Sequence, residues 1–204
     1  MDLFAKLAPG IAALTAALVA VAGLGTWRRQ LKGQAEYDLA RRVLRAVLKA
    51  RDHLNAVRSP DMTGGEIAAA YKEAGLELPE RPLLGSQSKA SELVYDRRWQ
   101  RLLAAVRELE AELLEAEVLW GAASRAPELE FKKCFAELYS AVMMHLRALS
   151  TPNPHESLTK IVETQFRVLY RVDSTDDPDQ FGKRIDGAVK AFELIVRPHL
   201  TRTR

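Results

Sequence analysis

Residues 91–120 read SELVYDRRWQRLLAAVRELEAELLEAEVLW, and Tyr95, Trp99, Leu102, Val106, Leu109, Leu113, Ala116 and Trp120 recur there at alternating steps of four and three. That spacing keeps eight apolar side chains on one seam of an α-helix, the heptad pattern of a coiled coil. Leu103, Leu114 and Leu119 widen the seam, which favours a helix packed in a bundle over an isolated two-stranded coil. Glu108, Glu110, Glu112, Glu115 and Glu117 make the second half of the helix acidic.

Its electrostatic complement lies upstream. Residues 33–59, GQAEYDLARRVLRAVLKARDHLNAVRS, place Leu39, Val43, Val47, Ala50, Leu54 and Val57 at helical spacing, with Arg41, Arg42, Arg45, Lys49 and Arg51 off that stripe. The pattern predicts a basic helix that ends before Pro60, with an interruption expected at Gly33, packed near the acidic half of the seam helix. Residues 59–88 hold Pro60, Gly64, Gly65, Gly75, Pro79, Pro82 and Gly85 and read as a connection with room for one short helix over 66–74. Gly64-Gly65 lacks the GxxxxGK[ST] pattern of a phosphate loop.

Three more helices carry start signals. Pro127-Glu128 precedes Phe131, Phe135, Leu138, Val142, His145 and Leu149; Asn153-Pro154-His155-Glu156 precedes Leu158, Ile161, Val162, Phe166, Val168 and Leu169; Asp177-Pro178-Asp179-Gln180 precedes Phe181, Ile185, Ala188, Val189, Phe192, Ile195 and Val196. Asn153 is the expected cap of the second. Strand signals are confined to the ambiguous RVLYRV at 167–172, which continues a helix more easily. The fold class expected is all-α, an N-terminal transmembrane helix followed by an antiparallel bundle of about five helices.

The transmembrane expectation rests on residues 7–25, LAPGIAALTAALVAVAGLG, which carry no charge. About 20 helical residues span roughly 30 Å, the thickness of a bilayer's hydrocarbon core. Pro9 and Gly10 fall in the first turns, where a missing donor costs least. A cleavable signal peptide competes, because Ala20-Val21-Ala22 has the small-x-small form of a cleavage site. Against it, Arg28, Arg29 and Lys32 directly follow the apolar run, while Lys6 and Asp2 offset each other before it. A buried core helix is a third reading, though such helices are usually shorter and keep a polar edge.

Residues 28–58 hold nine Lys/Arg against three acids, so the positive-inside rule orients the chain N-terminus out, C-terminal part cytoplasmic. The expected organisation is an anchor over 1–27 and a helical bundle over 28–204. Trp27, Arg28, Arg29 and Lys32 would sit at the membrane interface, where Arg41, Arg42 and Arg45 could also meet anionic lipid. Ala12, Ala16 and Ala20, four apart, form a small-residue face open to helix association.

The passage Trp27-Arg28-Arg29-Gln30-Leu31-Lys32-Gly33, with Ala35-Glu36-Tyr37 and Leu39-Ala40-Arg41-Arg42, resembles the opening of uncharacterised bacterial single-pass inner-membrane proteins with a helical cytoplasmic domain. The resemblance covers the first quarter of the chain. It implies a bacterial inner-membrane location and transfers no catalytic residue.

Little in the chain points to catalysis. The four histidines, His53, His145, His155 and His199, belong to no HExxH, and no two of them sit three or four residues apart with a carboxylate to make a metal site. His145 reads as a hydrogen-bonded core residue and His155 as part of a helix start. Cys134 stands beside Lys132 and Lys133 without a partner motif, so a structural thiol is expected. A lone cysteine excludes a disulfide framework and suits a reducing compartment. Arg147 and His155 are too far apart, across Pro152 and Pro154, for the Arg–spacer–His of helical ribonucleases.

The 204 residues carry 30 Lys/Arg and 27 Asp/Glu, but from residue 59 onward acids outnumber bases by 23 to 20. The basic excess therefore belongs to the first helix and no nucleic-acid partner is expected. No enzyme activity, metal or cofactor is expected either. The partners expected are the lipid bilayer and either a protein or a second copy, the latter through Trp99, Leu102, Val106, Leu109 and Leu113 if that seam is shared between chains. The function this implies is a membrane-anchored interaction or assembly module. The alternative is a sensor or effector that answers a ligand by clustering its transmembrane helix.

Overall fold

In the structure, a computed structural model, residues 2–79, 86–151, 153, 155–171 and 178–201 are described, with backbone alone at 2–18 and 86. The first helix, α1, runs without a break over Asp2–Val57, about 84 Å at 1.5 Å per residue. The interruption expected at Gly33 is absent. A mid-helix glycine costs only about 1 kcal/mol against alanine, and the flanking periodic residues outweigh it. After α1 come α2 (Gly64–Glu73), α3 (Ser86–Trp120), a 3₁₀ turn (Ala122–Arg125), α4 (Glu128–Ser150), α5 (Glu156–Leu169) and α6 (Gln180–Leu200). The described residues hold no strand, so the all-α expectation is met, and 167–169 close α5.

Side-chain pairings fix the topology. Arg42 meets Glu112 and Lys49 meets Glu108, so α3 runs antiparallel to α1. Trp99 packs against Phe135 with the rings tilted while Lys132 reaches back to Glu110, so α4 reverses again. Arg58 pairs with Asp179 at one end of α6 and Glu36 meets His199 at the other, which returns α6 antiparallel to α1. The long helices therefore close a ring α1–α3–α4–α6, an antiparallel four-helix bundle. Here α2 leans on α3, and α5 on α4.

The stripes read from sequence face inward. Leu39, Val43, Val47 and Leu54 of α1 meet Leu102, Leu109 and Leu113 of α3, Phe131 and Leu138 of α4, and Ile185, Phe192 and Val196 of α6 in one cluster. The expected proximity of basic α1 and acidic α3 is realised as ion pairs. Arg42 bonds Glu112 at 2.9 Å and also Glu115; Lys49 lies 2.5 Å from Glu108.

Helix ends show how local chemistry sets the boundaries. Gly121 stops α3 at φ 87°, a left-handed conformation that glycine adopts without a Cβ penalty. Thr63 caps α2, its side chain accepting from the Glu66 amide at 3.2 Å. Asp179 caps α6 through the Gly182 amide at 2.9 Å. The cap of α5 corrects the sequence reading: His155, not Asn153, accepts from the Ser157 amide through Nδ1 at 3.3 Å. Asn153 instead adopts φ 57°, the left-handed turn role that asparagine tolerates and an N-cap does not use. Pro154 and Asp177 lie outside the described residues.

Toward its N-terminus α1 leaves the bundle. From Val19 to Leu31 its large apolar side chains, Val19, Val21, Leu24, Trp27 and Leu31, are all exposed. Among the described residues no helix is long and apolar enough to cross a membrane. Most of the span expected over 7–25 lies outside the residues described with side chains, Ala12 and Ala16 among them.

Candidate functional site

The densest polar constellation sits where α1 ends. Arg58 is 1% exposed and stands in phase with the apolar stripe, four residues after Leu54. Its guanidinium grips both Asp179 oxygens at 2.8 Å, donates to the carbonyls of Val168 and Arg167 at 2.8 and 3.1 Å, and lies 4.9 Å over the Phe181 ring. One side chain thus ties the end of α1 to the last carbonyls of α5 and the first turn of α6. Burial pushes the Asp179 carboxyl up, but the Arg58 guanidinium and the Gly182 amide outweigh it and hold the pKa below its ordinary value.

Gly182 is required here by close approach. A Cβ at that position would lie 2.3 Å from Oδ2 of Asp179. Beside the junction a cleft of about 350 Å³ is lined by Arg51, Asn55, Arg171, Lys183, Asp52 and Asp186 as well as the ion pair itself. Its charges alternate in sign and Arg51 is already bonded to Asp52, so no uniform field favours one class of ion.

A second buried arginine mirrors the first. Arg98 of α3 bonds both Glu66 oxygens, at 2.8 and 2.7 Å, and the carbonyls of Ser59 and Asp61 at 2.6 Å, fastening the connection after α1. The guanidinium lowers the Glu66 pKa. At the opposite end Arg125 bridges Glu117 and Glu128, and the bridge lowers the Glu128 pKa. Neither Arg58 nor Arg98 stood out in the sequence. The usable signal was phase: each is an arginine at a stripe position, 54–57–58 in α1 and 95–98–102 in α3.

His145, His155, His199 and Cys134 are bound into the fold, whereas His53 lines a groove beside Arg45 and Leu48. His145 Nε2 lies 3.2 Å from the Tyr170 hydroxyl and edge-on to Tyr95, and burial lowers its pKa. The neighbouring Tyr95 hydroxyl is buried without an aligned hydrogen-bond partner, and burial, reinforced by Tyr170, pushes its pKa upward. His199 stacks on Trp120 at 4.2 Å with Nδ1 3.3 Å from Glu36, fastening α6 to α1 where α1 emerges. Cys134 is fully buried and burial raises its pKa. No group of three His, Cys, Asp or Glu among the described residues could hold a metal ion.

The expected interaction residues divide into three sets. Leu102, Leu109 and Leu113 are buried in the chain's own core, with Trp99 and Val106 half-buried at its edge. Trp27, Arg28, Arg29, Lys32 and Ala20 are exposed on the protruding part of α1. The basic residues of α1 split between two flanks. Arg42 is taken by α3, whose carboxylates hydrogen-bond to it and raise its pKa, whereas Arg41 and Arg45 point away from α3 and are exposed. No protein-family profile, curated protein or solved structure matches this chain.

Proposed function

We propose that this protein is a single-pass membrane protein, N-terminus outside, whose cytoplasmic four-helix bundle is a docking module for another protein in a bacterial inner membrane. The observation that carries the reading is α1 itself. It leaves the bundle as an unbroken helix whose apolar residues from Val19 to Leu31 are left exposed by the described residues, and it continues into a stretch without charge back to Leu7. Exposed valine, leucine and tryptophan on that scale need a non-aqueous partner. Arg28, Arg29 and Lys32 follow at once, as a cytoplasmic flank does.

The bundle supports the second half of the reading. Its conspicuous polar groups, Arg58–Asp179, Arg98–Glu66 and Arg125–Glu128, are spent on joining helices. The exposed surface left for function combines charged helix flanks with apolar side chains such as Leu114, Val118 and Leu129, a mixture that suits protein recognition.

The test is alkaline extraction of bacterial membranes containing the tagged full-length chain, followed by detergent purification. The expected result is retention in the pellet, release once residues 2–25 are deleted, and copurification of a stoichiometric partner. Release of the intact chain by alkali would overturn the anchor, and a homo-oligomer eluting alone would favour a ligand-answering sensor that clusters its own helices.

A further inference from the structure

α1 has one basic flank answered within the chain and one that is not. Toward α3, Arg42 and Lys49 face Glu112, Glu115 and Glu108. The other flank, toward the C-terminal end of α6, is a shallow groove of about 600 Å³ floored by Leu44, Leu48 and Leu200, with Arg41 and Arg45 standing over it. Among the described residues Arg45 forms no hydrogen bond or ion pair, and Arg41 has only the Tyr37 ring, 5.8 Å away. Lys49 reaches the rim but is held by Glu108, and the one carboxylate on the rim, Asp52, is held by Arg51.

We infer that this groove binds an acidic amphipathic helix of a partner protein, an inference that rests on the docking-module reading and names its partner's chemistry. Leu44 and Leu48 are one helical turn apart, so the floor accepts an apolar ridge with i, i+4 spacing. Arg41 and Arg45, also one turn apart, call for carboxylates along the edge of that ridge. The chain shows the arrangement on α1's other flank, where α3 brings leucines inward and Glu108, Glu112 and Glu115 at steps of four and three.

Two other occupants fit less well. A two-fold pairing of copies through this face would set Arg41 and Arg45 against themselves. A copy's α3 has no free acidic row to offer, because Glu108, Glu110, Glu112, Glu115 and Glu117 are all paired. Lipid phosphate would answer the arginines but leave the leucine floor wet. Along an upright α1, moreover, Arg41 stands about 24 Å beyond Gly25 at 1.5 Å per residue.

The probe is a fluorescein-labelled peptide with the sequence of residues 101–120, read by anisotropy against the full-length protein in detergent micelles. Expected are saturable binding, a loss of roughly tenfold or more in affinity with R41E/R45E, and a similar loss when the peptide's five glutamates become glutamine. R28E/R29E makes the same charge change outside the groove and should leave binding unchanged. Circular dichroism melts of R41E/R45E should stay close to the parent, since among the described residues neither arginine has a hydrogen bond or ion pair and Arg41 has only the Tyr37 ring.

Equal binding by parent and R41E/R45E overturns the inference. So does an equal loss with R28E/R29E, which would mean diffuse electrostatics. Loss of flotation with phosphatidylglycerol vesicles in R41E/R45E alongside unchanged peptide binding would assign the flank to lipid and also overturn it. The anchor is read separately: a chain washed out by alkali that still binds the peptide through Arg41 and Arg45 keeps the groove and loses the anchor, and the converse result loses only the groove.

Discussion

Arg58 shows what one residue can hold. Its guanidinium satisfies carbonyls that the end of α5 would otherwise leave unpaired, and pairs bidentately with the carboxylate that caps α6. Removing one partner of a buried pair strands the other, at a cost of about 3–5 kcal/mol. Arg58→Met should therefore lower the urea midpoint severely, and Arg58→Lys should recover little, because an ammonium cannot make the bidentate contact. Gly182→Ala acts on the same junction by pushing a Cβ into Asp179. Its cost in urea melts should be about 1 kcal/mol or more, in the range of a lost cap, and should not add to that of Arg58→Met.

The pH dependence follows from the direction of the Asp179 shift. Its folded pKa lies below the unfolded value near 4, so its contribution is fully present above that value and lost as pH falls through the folded one. Asp179→Asn should be less stable at neutral pH and should show a shallower fall between about pH 5 and 2. Urea melts across that range measure both. His145 has the same sign at higher pH: burial depresses its pKa, so stability is lost as pH drops below about 6.5, and His145→Phe should flatten that part of the profile.

At the scale of elements, α3 separates a core face from a surface face in one helix. Leu102 is fully buried and Leu114 is 55% exposed. Leu102→Ala should cost about 2–5 kcal/mol through lost burial and the cavity left behind, whereas Leu114→Ala should stay within about 0.5 kcal/mol. Urea melts measure both costs, and size-exclusion chromatography of Leu102→Ala would reveal a seam shared between chains if the oligomer size changed while the urea midpoint did not. The seam, the start of α4 and the pairing of basic α1 with acidic α3 were legible in the sequence, because period and charge are local patterns that the fold uses directly.

Other features were not legible, for physical reasons. An arginine is ordinarily a surface residue, so composition could not reveal that Arg58 and Arg98 are buried; only the acceptors gathered from distant segments make that tolerable. The cap of α5 was misplaced because Asn153 has the better intrinsic propensity for that role, and the turn uses its left-handed tolerance instead. The open flank of α1 carries the same residue types as the closed one. Which flank α3 covers is decided by the phase of the helix within the folded bundle, not by composition.

At the scale of the whole molecule, α1 belongs to two environments joined at Glu36. From Leu39 onward its inward face is fully buried, while Val19 to Leu31 contribute nothing to the core. Among the described residues the outermost hydrogen bond from α1 to another helix is Glu36 with His199, itself stacked on Trp120. The bundle's stability should therefore not depend on the emerging half of α1. A fragment starting at Ala35 should melt within a few degrees of the full chain in the same detergent, because about 1 kcal/mol shifts the Tm of a domain this size by only about 2–4 °C. Cys134 supplies an independent readout: being buried with its pKa raised, it should react with a thiol reagent only through unfolding, at the same rate in both chains. A fragment that melted much lower, or whose thiol reacted faster, would mean that residues 1–34 brace the bundle, and α1 would then be a structural strut more than a tether.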